Sequence, residues 1–381
     1  MLLNKQEILA SVIENAQAGR RAVAREALAE LVDNHLSAGT DPDDLKYYIF
    51  AAALAKRLES DKAGDINLYL RKFEHPQISL FNLLAQHLPT VSLAGRVAND
   101  LLCRFLGNRE EVTLLDIGIG TGQQELALLY ELARRGALPE YLTIVAVEPS
   151  AASLREAERC LTQAARTLQL PFTFVPILAV AEEMDEAQWA TIADAAAAKP
   201  LVVHAAFAAH HVRDRVAGEC ARDALFRRLR TLGPEAVVLA EPNSDHHTDV
   251  FPMRFENCWR HFSLTFELIG RLGVTQDECA AMKLFFAREI EDILGNAEET
   301  RCERHESTDA WLSRLTRCGF RPYRAFDLTG RFDHPSVSVV PREGYVGLDY
   351  AGETLVSVLC ATSGDAGAAM AAATSRTASR N

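Results

Sequence analysis

Leu114-Leu-Asp-Ile-Gly-Ile-Gly-Thr-Gly-Gln-Gln124 is the stretch on which the fold turns. An apolar run over residues 112–117 reads as a buried strand, three glycines follow at alternate positions, and residues 123–135 read as a helix. Glycine lacks the Cβ that keeps another group off the backbone, it tolerates positive φ, and the next helix N-terminus offers unpaired N–H donors. A dinucleotide site wants G-x-G-x-x-G, yet the sixth position from Gly118 is Gln123, and from Gly120 it is Glu125. The spacing is G-x-G-x-G, preceded by the acid Asp116.

Working outward, a second apolar run at 142–147 ends in Glu148-Pro149 and completes a β-α-β unit. A carboxylate at that strand end has the geometry to accept from both hydroxyls of a ribose. Ser150 suits the cap of a helix over 151–168, and the alternation continues: strand 172–177, helix 185–198, strand 201–205, helix 214–232, strand 236–240. Strands separated by helices of this length predict a parallel sheet covered on both faces. After Glu241 the alternation stops. Two amphipathic stretches, 251–270 and 275–295, read as an inserted helical cap. A short helix over 307–318 closes at Gly319, and 320–328 and 354–360 read as final strands joined through an irregular stretch. Residues 4–107 are helical in pattern throughout, with breaks at 37–42, 61–64 and around Pro76 and Pro89.

Composition narrows the function classes. Hydrophobic residues at 48% and charged residues at 24% are those of an ordinary globular chain. The net charge of −12 argues against a phosphate-backbone partner, so no nucleic acid is expected. The eight cysteines form no CxxC pair, as in a reducing compartment. The first residues lack a signal-peptide apolar stretch, and no run of about 18 apolar residues occurs, so a cytoplasmic protein with no membrane partner is expected.

D-x-G-x-G-x-G matches the first motif of S-adenosylmethionine (SAM)-binding methyltransferases. The reading is therefore a class I methyltransferase-like doubly wound α/β sheet, mostly parallel with an antiparallel last strand. A helical region over 1–107 precedes a Rossmann-like domain over 108–361, which carries a helical insertion at about 250–300. Residues 362–381, nearly all small, read as a disordered tail. The expected cofactor set is Asp116, Gly118, Gly120, Gly122, Gln123, Glu148 and Glu182, with Glu183 an equal choice beside Glu182.

Ligands of open α/β sheets bind outside the carboxyl ends of the strands. There the fourth strand runs into Leu201-Val-Val-His-Ala-Ala-Phe-Ala-Ala-His-His211, and the fifth into Glu241-Pro-Asn-Ser-Asp-His-His-Thr-Asp249. Imidazole titrates near neutrality, which makes His210, His211, His246 and His247 candidate bases for an acceptor proton, with Glu241 and Asn243 positioning the acceptor. His204, inside an apolar strand, reads as a core residue. A metal at Asp245, His246, His247 and Asp249 is weighed and set aside, because adjacent histidines seldom aim at one ion.

From about residue 81 to 360 the chain resembles the GRAS family, specifically its bacterial members. The resemblance rests on Phe81-Asn-Leu-Leu-Ala85, Ala94-Gly-Arg-Val-Ala-Asn99, residues 114–124 where plant members carry VHIID, and Ala205-Ala-Phe-Ala-Ala-His-His-Val212. It continues through residues 241–255, 262–268, Arg288-Glu-Ile-Glu-Asp-Ile293, Arg301-Cys-Glu-Arg-His-Glu306, Trp311 and Gly319-Phe320. It implies a Rossmann-like methyltransferase fold with a helical cap. Residues 355–361 depart from the plant pattern in lacking the tryptophan of the SAW block. The expectation is a SAM-dependent methyltransferase acting on a small-molecule acceptor, with a homodimer allowed. The alternative is a non-catalytic GRAS-type scaffold or regulator that binds a protein partner or a small-molecule signal.

Overall fold

The computed structural model describes residues 4–36, 42–59, 77–213 and 220–364. Most of the break expected at 37–42, that at 61–64 and Pro76, the first turns of the helix expected over 214–232, and all but the first three residues of the tail expected over 362–381 lie outside the described residues. The chain forms two compact units, each discontinuous in sequence: residues 1–88 with 244–306, and residues 89–243 with 307–381.

The second unit is built on a nine-stranded mixed sheet. β1 (Glu111–Ile117), β2 (Tyr141–Glu148), β3 (Phe172–Leu178), β4 (Leu201–Ala206) and β5 (Ala236–Pro242) are parallel to one another. β6 (Arg321–Pro322), β7 (Ser338–Arg342), β8 (Tyr345–Tyr350) and β9 (Glu353–Thr362) pair antiparallel. The order is β3-β2-β1-β4-β5-β9-β8-β7, with β6 beside β9. The order reverses at β1, so the carboxyl ends of β1 and β4 flank the switch point. The α/β fold and the antiparallel final strand are as the sequence implies. The strand expected over 320–328 is not: only Arg321 and Pro322 pair, and one further bond runs from the Tyr323 N–H to the Cys360 carbonyl at 2.8 Å. The irregular stretch instead contains β7, joined to β8 by a two-residue turn at Glu343-Gly344.

Strand side chains alternate between faces. Leu115, Ile117, Val145, Val203, Val237 and Leu359 pack under α8 (Glu186–Ala196), α9 (Ala221–Thr231) and α12 (Thr308–Arg317). The opposite face is covered by α5 (Pro89–Leu106), α6 (Gln123–Arg134) and α7 (Ala151–Thr167). Asp116 and His204 share this second face as register partners across β1 and β4. α5 is buried on nearly every side, which is why its apolar residues fill more than one stripe.

The first unit is helical: α1 (Lys5–Gln17), α2 (Arg21–Glu30), α3 (Pro42–Glu59), α4 (Gln77–His87), α10 (Phe251–Gly270) and α11 (Gln276–Ile290). Aromatic pairs join its sequence-distant parts. Phe50 of α3 meets Phe255 and Trp259 of α10 with ring centroids 5.9 and 4.8 Å apart, and Phe81 of α4 meets Phe285 of α11 at 6.1 Å. Capping boxes at Asn4/Glu7 and Thr275/Glu278 set the starts of α1 and α11.

Trp311 is fully buried in the sheet unit, edge-on to Phe226 and beside the guanidinium groups of Arg222 and Arg314. Trp311→Ala is expected to lower urea-unfolding stability by about 3–5 kcal/mol. A loss below about 1 kcal/mol would show that α12 is not part of the core.

Candidate functional site

The glycine turn joins β1 to α6. Gly118, Gly120 and Gly122 have φ of 84°, 55° and 72°, a region that side chains with a Cβ rarely adopt. Protein atoms stand close to two of them. A Cβ on Gly118 would lie 2.5 Å from the Ala208 Cβ, beyond the end of β4, and one on Gly122 would lie 3.1 Å from the Ala157 Cβ of α7. Glu148 clamps the turn: its Oε2 accepts from the Gly120 N–H at 3.1 Å and its Oε1 from the Ser150 N–H at 2.9 Å. Burial raises this carboxyl above its ordinary range, against the pull of the two amides.

Behind the turn lies a polar cluster on the α5/α6 face. Asp116, Glu125 and His204 are all buried. Burial pushes the Asp116 carboxyl well above its usual range, and the neighbouring Glu125 charge adds to that. Burial raises Glu125 as well. His204 sits 3.0 Å from the Val238 carbonyl through Nδ1, which must therefore carry the hydrogen, and 2.7 Å from Gln124 Nε2 through Nε2. Burial lowers its pKa to about 4, so the ring is neutral. Asn99 of α5 donates to the Gln124 carbonyl at 3.2 Å.

A second network closes the ends of β4 and β5. Glu241 accepts from the Ala209 N–H at 2.8 Å and faces His210 Nδ1 at 2.5 Å. Burial would raise this carboxyl, but the His210 charge opposite and the amide hold it below its ordinary value. Buried Arg222 donates to the carbonyls of His210 and Val212 at 2.5 and 3.0 Å. His211 packs beside His210 with ring centroids 4.0 Å apart. Asn243 accepts from the Thr308 N–H at 2.8 Å and donates to the Thr354 carbonyl at 3.0 Å, pinning β5 to the start of α12 and of β9. Glu182 accepts from the Arg213 N–H at 3.1 Å, Glu183 pairs with the same guanidinium, and Gln123 is exposed at the first position of α6.

His246 and His247 belong to the helical unit, whereas His210 and His211 belong to the sheet unit. His246 Nδ1 lies 2.9 Å from His305 Nδ1, its Nε2 lies 2.9 Å from Ser244 Oγ, and its ring stacks on Phe262. Arg301 donates to the carbonyls of His246 and His247 at 2.7 and 3.3 Å. Asp245 accepts from the Thr248 N–H at 3.1 Å. The segment 245–247 and Arg301-Cys-Glu-Arg-His-Glu306, each quoted for its own resemblance, are thus two sides of one buried network. Both ring nitrogens of His246 are occupied within it. Burial, then the His305 charge, holds His246 well below its ordinary pKa, and burial lowers His261 to about 3. Sequence reasoning missed Glu125, Arg222, Arg301 and His305 as members of these networks. A charged residue inside an apolar helical stripe was the available signal for Arg222 and Glu125.

The topology and the closed ends of its strands define a mixed, mostly parallel α/β protein. The GRAS domain family matches residues 5–328, and the chain belongs to that family. It is similar to Chitin-inducible gibberellin-responsive protein 2 of Oryza sativa subsp. japonica, at 28% identity over 64% of this chain and 46% of the relative. Scarecrow-like transcription factor PAT1 of Arabidopsis thaliana is 26% identical over 65% of this chain and 51% of the relative. The chain spans about half the length of these curated relatives. Among solved structures, that of SCL7 in Oryza sativa shares the fold with a TM-score of 0.75 at 21% identity, covering 94% of this chain and 100% of that one.

These relatives overturn the expectation of a SAM-dependent methyltransferase and, with it, the SAM cofactor, the enzyme assignment and the small-molecule methyl acceptor. The physical reason for the correction is local. Ala208 and α7 stand against Gly118 and Gly122, and the Glu148 carboxylate read as a ribose acceptor already accepts from two of the protein's own amides. The exclusion of nucleic acid is withdrawn with them, since the chain is similar to a protein named as a transcription factor.

Two outcomes check this geometry. Gly118→Ala is expected to cost about 3 kcal/mol, combining a left-handed backbone with a clash, whereas Gly136→Ala, whose φ is 61° with no neighbour in reach, is expected to cost about 1 kcal/mol. Equal losses would remove the close-packing argument. For the histidines the sign follows from depressed folded-state values: below the ordinary 6.5 the unfolded chain takes up protons first, so stability is full above that pH and lost beneath it. Unfolding free energy from urea titrations is expected to fall from pH 6.5 to pH 4, by about 3 kcal/mol from His261 alone, and His261→Gln is expected to flatten the decline. A wild-type midpoint constant from pH 7 to pH 4 would sink the assignment of neutral buried imidazoles.

Proposed function

We propose that the chain is a non-catalytic regulator of the GRAS type that acts by binding a protein partner. The observation that carries this reading is the closure of the sheet's carboxyl end. Glu148, Glu241, Asn243 and Glu182, the groups an open α/β sheet would turn toward a ligand, are engaged by the protein's own amides and side chains. Such groups fix loops in place, and a rigid surface built on fixed loops suits macromolecular recognition. Similarity to a protein named as a transcription factor supports a role in gene regulation.

Two finer points belong to the same proposal. The retained G-x-G-x-G spacing, with no tryptophan in residues 355–361, supports a place beside the bacterial members. All eight cysteines are free thiols, which supports a reducing compartment such as the cytoplasm, and no described helix is long and apolar enough to cross a membrane.

The test is affinity capture of the tagged chain at native abundance from its own cells, paired with transcript profiling of a strain lacking it. One protein recovered in near-stoichiometric amount and a defined set of altered transcripts are expected. Recovery of the chain alone, with an unchanged transcript profile, would overturn the proposal.

A further inference from the structure

Beneath the glycine turn, three ligand-type side chains converge from three elements: Asp116 at the end of β1, Glu125 in the first turn of α6 and His204 in β4. One ligand atom from each lies within 4.8 Å of the other two. Among the described residues, Asp116 Oδ2 and Glu125 Oε2 accept no hydrogen bond, although each residue is only 2% exposed. Two facing carboxylates sealed from water, each with an oxygen lacking a donor, are costly unless a cation or a shared proton stands between them.

His204 supplies the independent pointer. Its Nδ1–H is held by the Val238 carbonyl at 3.0 Å, which fixes the tautomer and leaves the Nε2 lone pair on the side of Gln124 and the carboxylates. A ring nitrogen anchored to a backbone carbonyl, with the other left as an acceptor, is the usual arrangement of a metal-binding histidine, and here that acceptor takes the Gln124 amide. The Gln124 amide, 2.7 Å from Nε2, is the group an ion would displace or turn.

We propose that Asp116, Glu125 and His204 form a buried site for one divalent transition-metal ion. Two carboxylates and one imidazole suit zinc, manganese or ferrous iron, whereas calcium and magnesium prefer all-oxygen shells. Two carboxylates balance the charge of a divalent ion, and the burial of all three residues favours an atomic ion over an organic cation. The ion would tie β1, β4 and the start of α6 together at the switch point of the sheet. Its competitor is a single proton shared by the two carboxyls. The site is independent of the regulatory reading and stands whether or not a protein partner is found.

The experiment uses the untagged full chain, stripped with chelator and titrated separately with zinc, manganese, cobalt and magnesium, with bound ion measured by mass spectrometry and calorimetry. About one equivalent of transition ion and no magnesium are expected, together with a rise in unfolding temperature on addition of the ion. Glu125→Gln and His204→Gln are expected to weaken binding at least about tenfold, and His247→Gln to leave it unchanged. Folded wild-type chain that binds none of the ions would overturn the proposal in favour of the shared proton. Unchanged affinity in folded Glu125→Gln would overturn it by placing the ion elsewhere. If neither variant folds, the cobalt spectrum of the wild-type chain decides: oxygen and nitrogen ligation supports the site, and a thiolate charge-transfer band overturns it.

Discussion

Gly118 has no room for a side chain, because Ala208 occupies the place a Cβ would take. That contact holds the segment after β4 against the end of β1, and much of the sheet's carboxyl edge follows from it. With the strands so joined, Asp116 and His204 become register partners, and Ala209 and His210 come within reach of Glu241. The Glu148 carboxylate completes the arrangement by accepting from the turn and from the start of α7. A turn whose spacing suggests access for a ligand is in this chain a place where the backbone packs on itself.

The buried polar groups are organised accordingly. Removing one member of a buried pair such as Glu241 and His210 leaves the other uncompensated, at a cost of about 3–5 kcal/mol, so such pairs fix a conformation more than they add net stability. Asn243 does the same with neutral groups: one amide holds the end of β5 to the beginnings of α12 and β9. In the helical unit, Arg301 bonds the carbonyls of His246 and His247, and His305 faces His246. In each case groups with the chemistry of catalysis serve to tie together segments distant in sequence.

The histidines show how far residue types can be read without geometry. His210, His211, His246 and His247 stand beyond β4 and β5, where their order in the chain places them. Their chemistry was not legible, because a histidine's role depends on what meets its two nitrogens. For His246 those partners are Ser244 and His305, the second 59 residues away. Glu125 was noticed only as the residue breaking the dinucleotide spacing, since nothing in a one-dimensional pattern says that an acid in the first turn of α6 faces another at the end of β1.

By itself the sequence determined the alternation of β1 to β5 with helices, the position of the glycine turn, the helices over 251–270 and 275–295, and the family. These depend on local periodicity, on glycine's freedom at positive φ and on ordered blocks of residues, all carried along the chain. Only the tertiary structure decided what fills the turn, which acids and imidazoles meet, how small β6 is, and that the helices before residue 88 pack with those after 244. Those outcomes depend on distances between segments far apart in sequence, and burial then sets which charged forms survive.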